Sequence, residues 1–144
     1  MVPVTQEGQK RMASMHVTLY LYGLELDPDV IKAATGLLPA RAGKRGDILN
    51  SPTSDSIGVR KMGYCTFSSD CASNDFTAHF SSLREKISNF PKPVLALPGV
   101  ESAMLDIYVD QIWDSTAIDF SVEEIKCLAE MGVSVNCTAC VEND

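Results

Sequence analysis

His16-Val17-Thr18-Leu19-Tyr20-Leu21-Tyr22-Gly23, followed by Asp27-Pro28-Asp29-Val30-Ile31-Lys32-Ala33-Ala34, is the stretch whose reading decides the fold. Val17, Leu19 and Leu21 alternate with Thr18, Tyr20 and Tyr22, the period of two expected of a strand with one buried face. Gly23 ends it. Asp27 then offers an N-cap oxygen to amides that a helix start leaves unpaired, Pro28 suits the first helical position, and Asp29 complements the helix dipole. Gly36 closes a short helix. The same order returns between Ala103 and Val135, where an alternating strand precedes Ser121-Val122-Glu123-Glu124-Ile125-Lys126-Cys127-Leu128 and Gly132 follows. Neither unit alone buries its apolar face, so the two are expected to share one core.

Working outward, Leu38 to Pro52 is rich in Gly, Pro and basic residues and is expected to be a long exposed loop. Ile57 to Ser68 reads as a second strand, with Gly58 and Gly63 marking a bulge or close packing. Phe76, Phe80, Leu83, Ile87 and Phe90 recur at helical spacing, with Asn74 or Asp75 as cap and Pro91 as stop. Pro91 to Gly99 is a proline-broken connector. Leu105, Ile107 and Val109 mark a third strand, Ser121 and Glu124 form a capping box, and Val133, Val135, Cys137, Ala139 and Val141 form the buried face of a fourth. The order β-α-β-α-β-α-β predicts a two-layer α+β sandwich: a four-stranded mixed sheet with helices on one face, built from pseudo-duplicated β-α units. It is a ferredoxin-like relative with an added middle helix. Residues 1–14 are polar and aperiodic and are expected to be disordered, leaving 15–144 as a single domain.

A chain of 144 residues, 45% hydrophobic and 22% charged, is the size of one ordinary domain and needs no disulfide or metal to hold its core. No apolar run reaches the roughly 20 residues of a membrane helix, and Met1 to Lys10 lack the apolar stretch of a secretory signal. Five cysteines, odd in number and irregularly spaced, fit reduced thiols. The expected compartment is the cytoplasm. Residues 1–61 carry eight Lys/Arg against six Asp/Glu and residues 62–144 carry four against thirteen, so the net −7 divides into +2 and −9. An acidic surface repels nucleic acid and favours basic proteins or metal ions.

Carboxylates are the chemically coherent group. Glu25, Asp27 and Asp29 follow the first strand, while Asp110, Asp114 and Asp119 follow the third, so the repeat predicts matching acidic patches. Their spacing lacks the ligand pattern and fixed glycine of a calcium loop. Trp113, between Ile112 and Asp114, has the composition of an interface anchor in a charged rim, or of a lid over the core. Tyr20 and Tyr22 point away from the buried face and form either an aromatic platform on the open sheet or packing under a loop. Cys137 and Cys140 match C-x-x-C, yet residues three apart on a strand project to opposite faces, which argues against a redox pair or half a zinc site. His79 reads as a structural or surface residue, and no Ser or Cys carries the signature of an activated nucleophile. Arg41, Lys44 and Arg45 lie in a loop without Walker spacing.

Leu21-Tyr22-Gly23-Leu24-Glu25-Leu26-Asp27-Pro28-Asp29-Val30-Ile31, Gly36-Leu37-Leu38-Pro39, Gly46-Asp47, Gly63-Tyr64 with Phe67-Ser68, Phe120-Ser121 with Glu124-Ile125, and Gly132-Val133-Ser134 together resemble the bacterial domain of unknown function 4279 family. The chain differs from that pattern at Ala40, where threonine often follows the proline, and at Tyr64, where tryptophan is common. The resemblance covers residues 16–140 and assigns no catalytic residue. It implies a small, soluble, cytosolic protein, akin to members that look like immunity proteins encoded beside toxins. The expected function is therefore non-enzymatic: an inhibitor that occludes a basic toxin domain or nuclease, without cofactor, metal, nucleic acid or membrane, as a monomer or small homo-oligomer. The binding surface is expected to include Trp113, Asp110, Asp114, Asp119, Glu25, Asp27, Asp29, Tyr20 and Tyr22. The alternative is a small-molecule-sensing or metal-dependent regulatory domain.

Overall fold

Strand β1 (Ser14–Gly23) runs through the middle of the sheet, and its alternation sorts the whole molecule into two sides. The structure is a computed structural model that describes residues 14–49, 58–112 and 118–141. After β1 come α1 (Pro28–Thr35), the short strands β2 (Arg41–Gly43), β3 (Ile48–Leu49) and β4 (Gly58–Val59), then β5 (Gly63–Ser68) and α2 (Phe76–Lys86). A 3-10 turn at Val94–Ala96 leads to β6 (Ser102–Ile112), α3 (Val122–Met131) and β7 (Ser134–Val141). The main sheet has five strands in the order β2-β5-β1-β6-β7, and β3 and β4 pair separately as a small ribbon. β1 is antiparallel to both β5 and β6, whereas β6 and β7 are parallel.

Met15, Val17, Leu19 and Leu21 of β1 lie against Cys65 and Phe67 of β5 and Ala103, Leu105, Ile107 and Val109 of β6, all buried. Ile31 of α1, Phe76, Phe80 and Leu83 of α2, and Cys127, Leu128 and Met131 of α3 close this side. Edge-on contacts of Phe90 with Phe67, at 5.0 Å between ring centroids, and of Phe120 with Phe76, at 4.7 Å, tie the connectors to the same core.

Local chemistry explains the helices. Asp27 Oδ1 accepts from the Asp29 amide at 2.9 Å, Pro28 opens α1, and Gly36 ends it at φ 74°. Ser121 and Glu124 bond reciprocally at 3.1 and 2.8 Å to open α3, and Gly132 ends it at φ 72°. The likeness of the two β-α units is thus local. The strand that follows α1 in the main sheet beside β1 is antiparallel to it, whereas the strand that follows α3 is parallel to β6.

The two-layer α+β sandwich stands as expected, but the sheet has five strands where four were expected. The extra strand lies in the stretch expected to be loop: Arg41–Gly43 pairs with Thr66, Cys65 and Tyr64, too short a run to show periodicity. Ile57 to Ser68 is broken into β4 and β5, with Ile57 outside the described residues. Ser14 already belongs to β1, and the rest of the expected disordered N-terminus, residues 1–13, lies outside the described residues. α2 ends at Lys86, although Ile87 and Phe90 still reach the core. Cys137, expected in the core with Val135, is exposed, and Val135 is itself 42% exposed, because the helical layer does not extend over the outer flank of β7.

Gly63 is a close-packing position: a side chain there would collide with the Leu26 backbone carbonyl. Gly63→Ala is expected to lower stability by about 3 kcal/mol or more, since the obstacle is backbone and cannot rotate away. Ser121→Ala, which removes one half of the capping box, is expected to cost about 1 kcal/mol, seen as a lower urea midpoint at unchanged slope.

Candidate functional site

On the side of the sheet away from the helices, β1 presents His16, Thr18, Tyr20 and Tyr22, β5 presents Tyr64, Thr66 and Ser68, and β6 presents Met104, Asp106, Tyr108 and Asp110. Asn136 and Thr138 of β7 continue the rows from Asp106 and Tyr108. Tyr20 and Tyr22, two apart on one strand, stack with ring centroids 5.8 Å apart and planes 10° from parallel. Tyr64 lies directly across from Tyr22, and the Arg60 guanidinium sits 4.3 Å above its ring. At the other end of the face His16 lies across from Tyr108, with ring centroids 6.4 Å apart.

Between these aromatic ends runs an open groove of about 490 Å³ whose lining includes Thr18, Arg41, Thr66, Ser68 and Asp106. Its walls are set by hydrogen bonds. The Arg41 amide donates to Thr66 Oγ1 at 3.0 Å, Thr18 and Ser68 hydroxyls meet at 3.1 Å, and Asn136 Nδ2 donates to Asp106 Oδ1 at 2.9 Å. The Tyr22 hydroxyl is held protonated above its ordinary range by burial, then by Tyr20 and the Asp106 charge. Tyr108 is also raised, chiefly by the Asp110 carboxylate.

The structure brings some of the expected site residues together and separates others. Tyr20 and Tyr22 form the platform anticipated from the alternation, with Asp110 on the same face. Glu25, Asp27 and Asp29 lie at the opposite end of the sheet from Asp110 and Asp119, because β1 and β6 run antiparallel. Ten residues of β1 separate the ends, about 30 Å at roughly 3.4 Å per residue. The two acidic sets therefore do not merge into one patch. The first set is also partly spent within the chain: Arg45 pairs with Glu25 at 2.7 Å and Lys44 with Asp27 at 3.2 Å. The Asp27 carboxyl is lowered by the Asp29 amide first and by Lys44 second. Asp29 and Asp119 are exposed, and Trp113 and Asp114 lie outside the described residues.

His79 is buried in a structural role. Its Nε2 donates to the Ser73 carbonyl at 2.5 Å, so Nδ1 accepts from the Ser69 hydroxyl at 2.7 Å, and the ring staples the loop before α2. Burial pushes the Cys65 thiol up to about 11, and the Cys137 thiol is raised by burial and then by Asp106, the opposite of activation. Among the described residues no three His, Cys, Asp or Glu side chains gather as metal ligands, and no helix is long and apolar enough to cross a membrane.

Arg41, Tyr64, Asp106 and Tyr108 were not singled out from sequence as members of this face. For Tyr64, Asp106 and Tyr108 the signal was present, since each is an outward position of an alternating strand. Arg41 needed the unrecognised strand.

A sheet covered by helices on one side and lined with tyrosines on the other, with no helix over it among the described residues, defines an α+β sandwich with one open face. Within that class, the chain belongs to the family described as Domain of unknown function (DUF4279), matched over residues 13–141. No curated protein and no solved structure matches it.

Asp110→Asn removes the charge that opposes Tyr108 ionisation, so the Tyr108 pKa is expected to fall toward the ordinary value of about 10. Phenolate absorbance measured against pH, with Tyr108→Phe to assign the transition, checks this.

Proposed function

We propose that the protein is a non-enzymatic binding module that grips a protein partner on the open face of its sheet. In this reading it is a cytosolic immunity-type inhibitor that occludes the active site of a basic toxin domain or nuclease. The observation that carries the proposal is the half-buried stack of Tyr20 and Tyr22 beside Tyr64, held on rigid strands with no helix over it among the described residues. Tyrosines on fixed backbone supply large amphipathic contact area at low entropic cost, as binding surfaces require. Asp106, diagonal to Tyr20, borders the platform, Asp110 lies at the far end of the same face across from Ser14, and residues 62–144 carry the −9 excess. A nuclease surface, basic because it holds nucleic acid, is complementary to that potential. Trp113 and Asp114 extend the same acidic end in sequence.

A second reading has its own support. The groove, at about 490 Å³, with Arg41 and Asp106 as opposite charges, is of a size that takes a small molecule. It makes the protein a sensing domain.

Affinity purification from the native host, followed by adding the pure chain to each captured enzyme, separates the two readings. The expected result is stoichiometric inhibition of one basic enzyme, weakened by salt and weakened tenfold or more by Tyr20→Ala with Tyr22→Ala, about 1.4 kcal/mol. Undiminished inhibition after those changes combined with Asp110→Lys removes the proposed face. A co-purified small molecule displaced by Arg41→Ala favours the second reading.

A further inference from the structure

The two edges of the main sheet are built differently. β2, at one edge, is three residues long, begins with Arg41 and follows Pro39, all features that discourage strand pairing. β7, at the other, is eight residues long, Ser134-Val-Asn-Cys-Thr-Ala-Cys-Val141, with no charge and no proline. Its outer row of backbone N–H and C=O groups has no partner strand among the described residues.

The flank of that edge is apolar on the helix side. Val135 is 42% exposed beside exposed Cys137 and Ala139, while α3 turns Val122, Ile125 and Ala129 outward at spacings of three and four. Val122 and Ile125 are 68% and 55% exposed. Between the two elements, Phe120, Ile125, Leu128 and Val135 line an apolar hollow of about 200 Å³. An unpaired strand and an apolar helix flank on the same edge call for one partner that supplies both a strand and an apolar helix.

We propose that this partner is a second copy of the chain, joined β7 to β7 about a two-fold axis into a continuous ten-stranded sheet with the two α3 helices packed across the seam. The strand is suited to pairing with itself. In an antiparallel pair, opposed residues share a face, so a two-fold through Cys137 sets Val135 against the other copy's Ala139 and Asn136 against its Thr138. No like charges meet along the strand despite the net −7 of each copy. Eight residues at about 3.3 Å, times two layers roughly 10 Å thick each, give a flat edge of about 500 Å² per copy. The pair thus reaches about 1,000 Å², the size at which specific interfaces begin. Cys137 lies on the axis, with its Cα about 4.5–5.5 Å from its mate, within disulfide range. The tyrosine face lies on the opposite side of the sheet and stays free.

Sedimentation of the full chain across a concentration series, in reductant, tests this. The expected result is a monomer–dimer equilibrium that Val135→Lys with Ile125→Lys shifts at least tenfold toward monomer while far-UV circular dichroism is kept. With reductant removed, added diamide, a two-electron thiol oxidant that takes up the two protons and two electrons of the paired thiols, is expected to link dimers through a Cys137–Cys137 disulfide, a bond abolished by Cys137→Ser and retained in Cys140→Ser. A monomer at every concentration, whether the edge stays open or takes another protein's strand, overturns the proposal. So does a dimer that the lysine substitutions leave unchanged.

Discussion

β1 is hydrogen-bonded on both edges, to β5 and to β6, and its side chains alternate strictly between a core face and an open face. Because the period of a strand is two, a slip of one residue against either neighbour would carry Leu19 and Leu21 into water and Tyr20 and Tyr22 into the core. The apolar burial that holds the strand in register is therefore the same event that aligns the tyrosine platform. Leu19, Leu105 and Phe67 meet in one row beneath the sheet, while Tyr20, Met104 and Thr66 meet in the next row above it. The open face needs no separate stabilisation, since its geometry is inherited from the core.

The asymmetry of the edges has a related cause. Parallel strands are normally covered on both faces, because their crossover helices lie over them. Here a single helix, α3, makes the crossover between β6 and β7. Its Cys127 and Met131 line, with Ser81, Arg84 and Ile87, a shared depression against the α2 region. A ten-residue helix leaning toward α2 leaves the far side of β7 bare, which is why Val135 and Cys137 are exposed while Leu105 and Ile107 one strand inward are fully buried.

Much of this was legible in the chain. Asp27-Pro28 and Ser121 with Glu124 announce helix starts through chemistry confined to four residues, so they can be read without knowing any tertiary contact, and Gly36 and Gly132 mark the ends for the same reason. Alternation alone places Tyr20 and Tyr22 on the outward face, and their stacking there is seen only in the folded sheet. What stayed hidden depends on pairing between distant residues. Arg41–Gly43 is a strand only because β5 lies beside it, and a three-residue run has no period to read. Cys137 alternates like a core residue, but burial also requires a helix above it, and position at the sheet edge is not written in local pattern.

Charge also distinguishes the two ends of the open face. The basic loop around Lys44 and Arg45 folds back onto Glu25 and Asp27, so opposite charges in the N-terminal portion meet each other at the C-terminal end of β1. Such exposed pairs add little stability. Their consequence is electrostatic: they cancel much of the field at that end, while among the described residues Asp110 and Asp119 have no lysine or arginine beside them at the other. Among the described residues, the negative charge without an ion-pair partner thus lies at the end where Tyr108 and Asp110 close the open face. For the basic partner proposed above, such a field would set orientation along the aromatic face of β1 as much as rate.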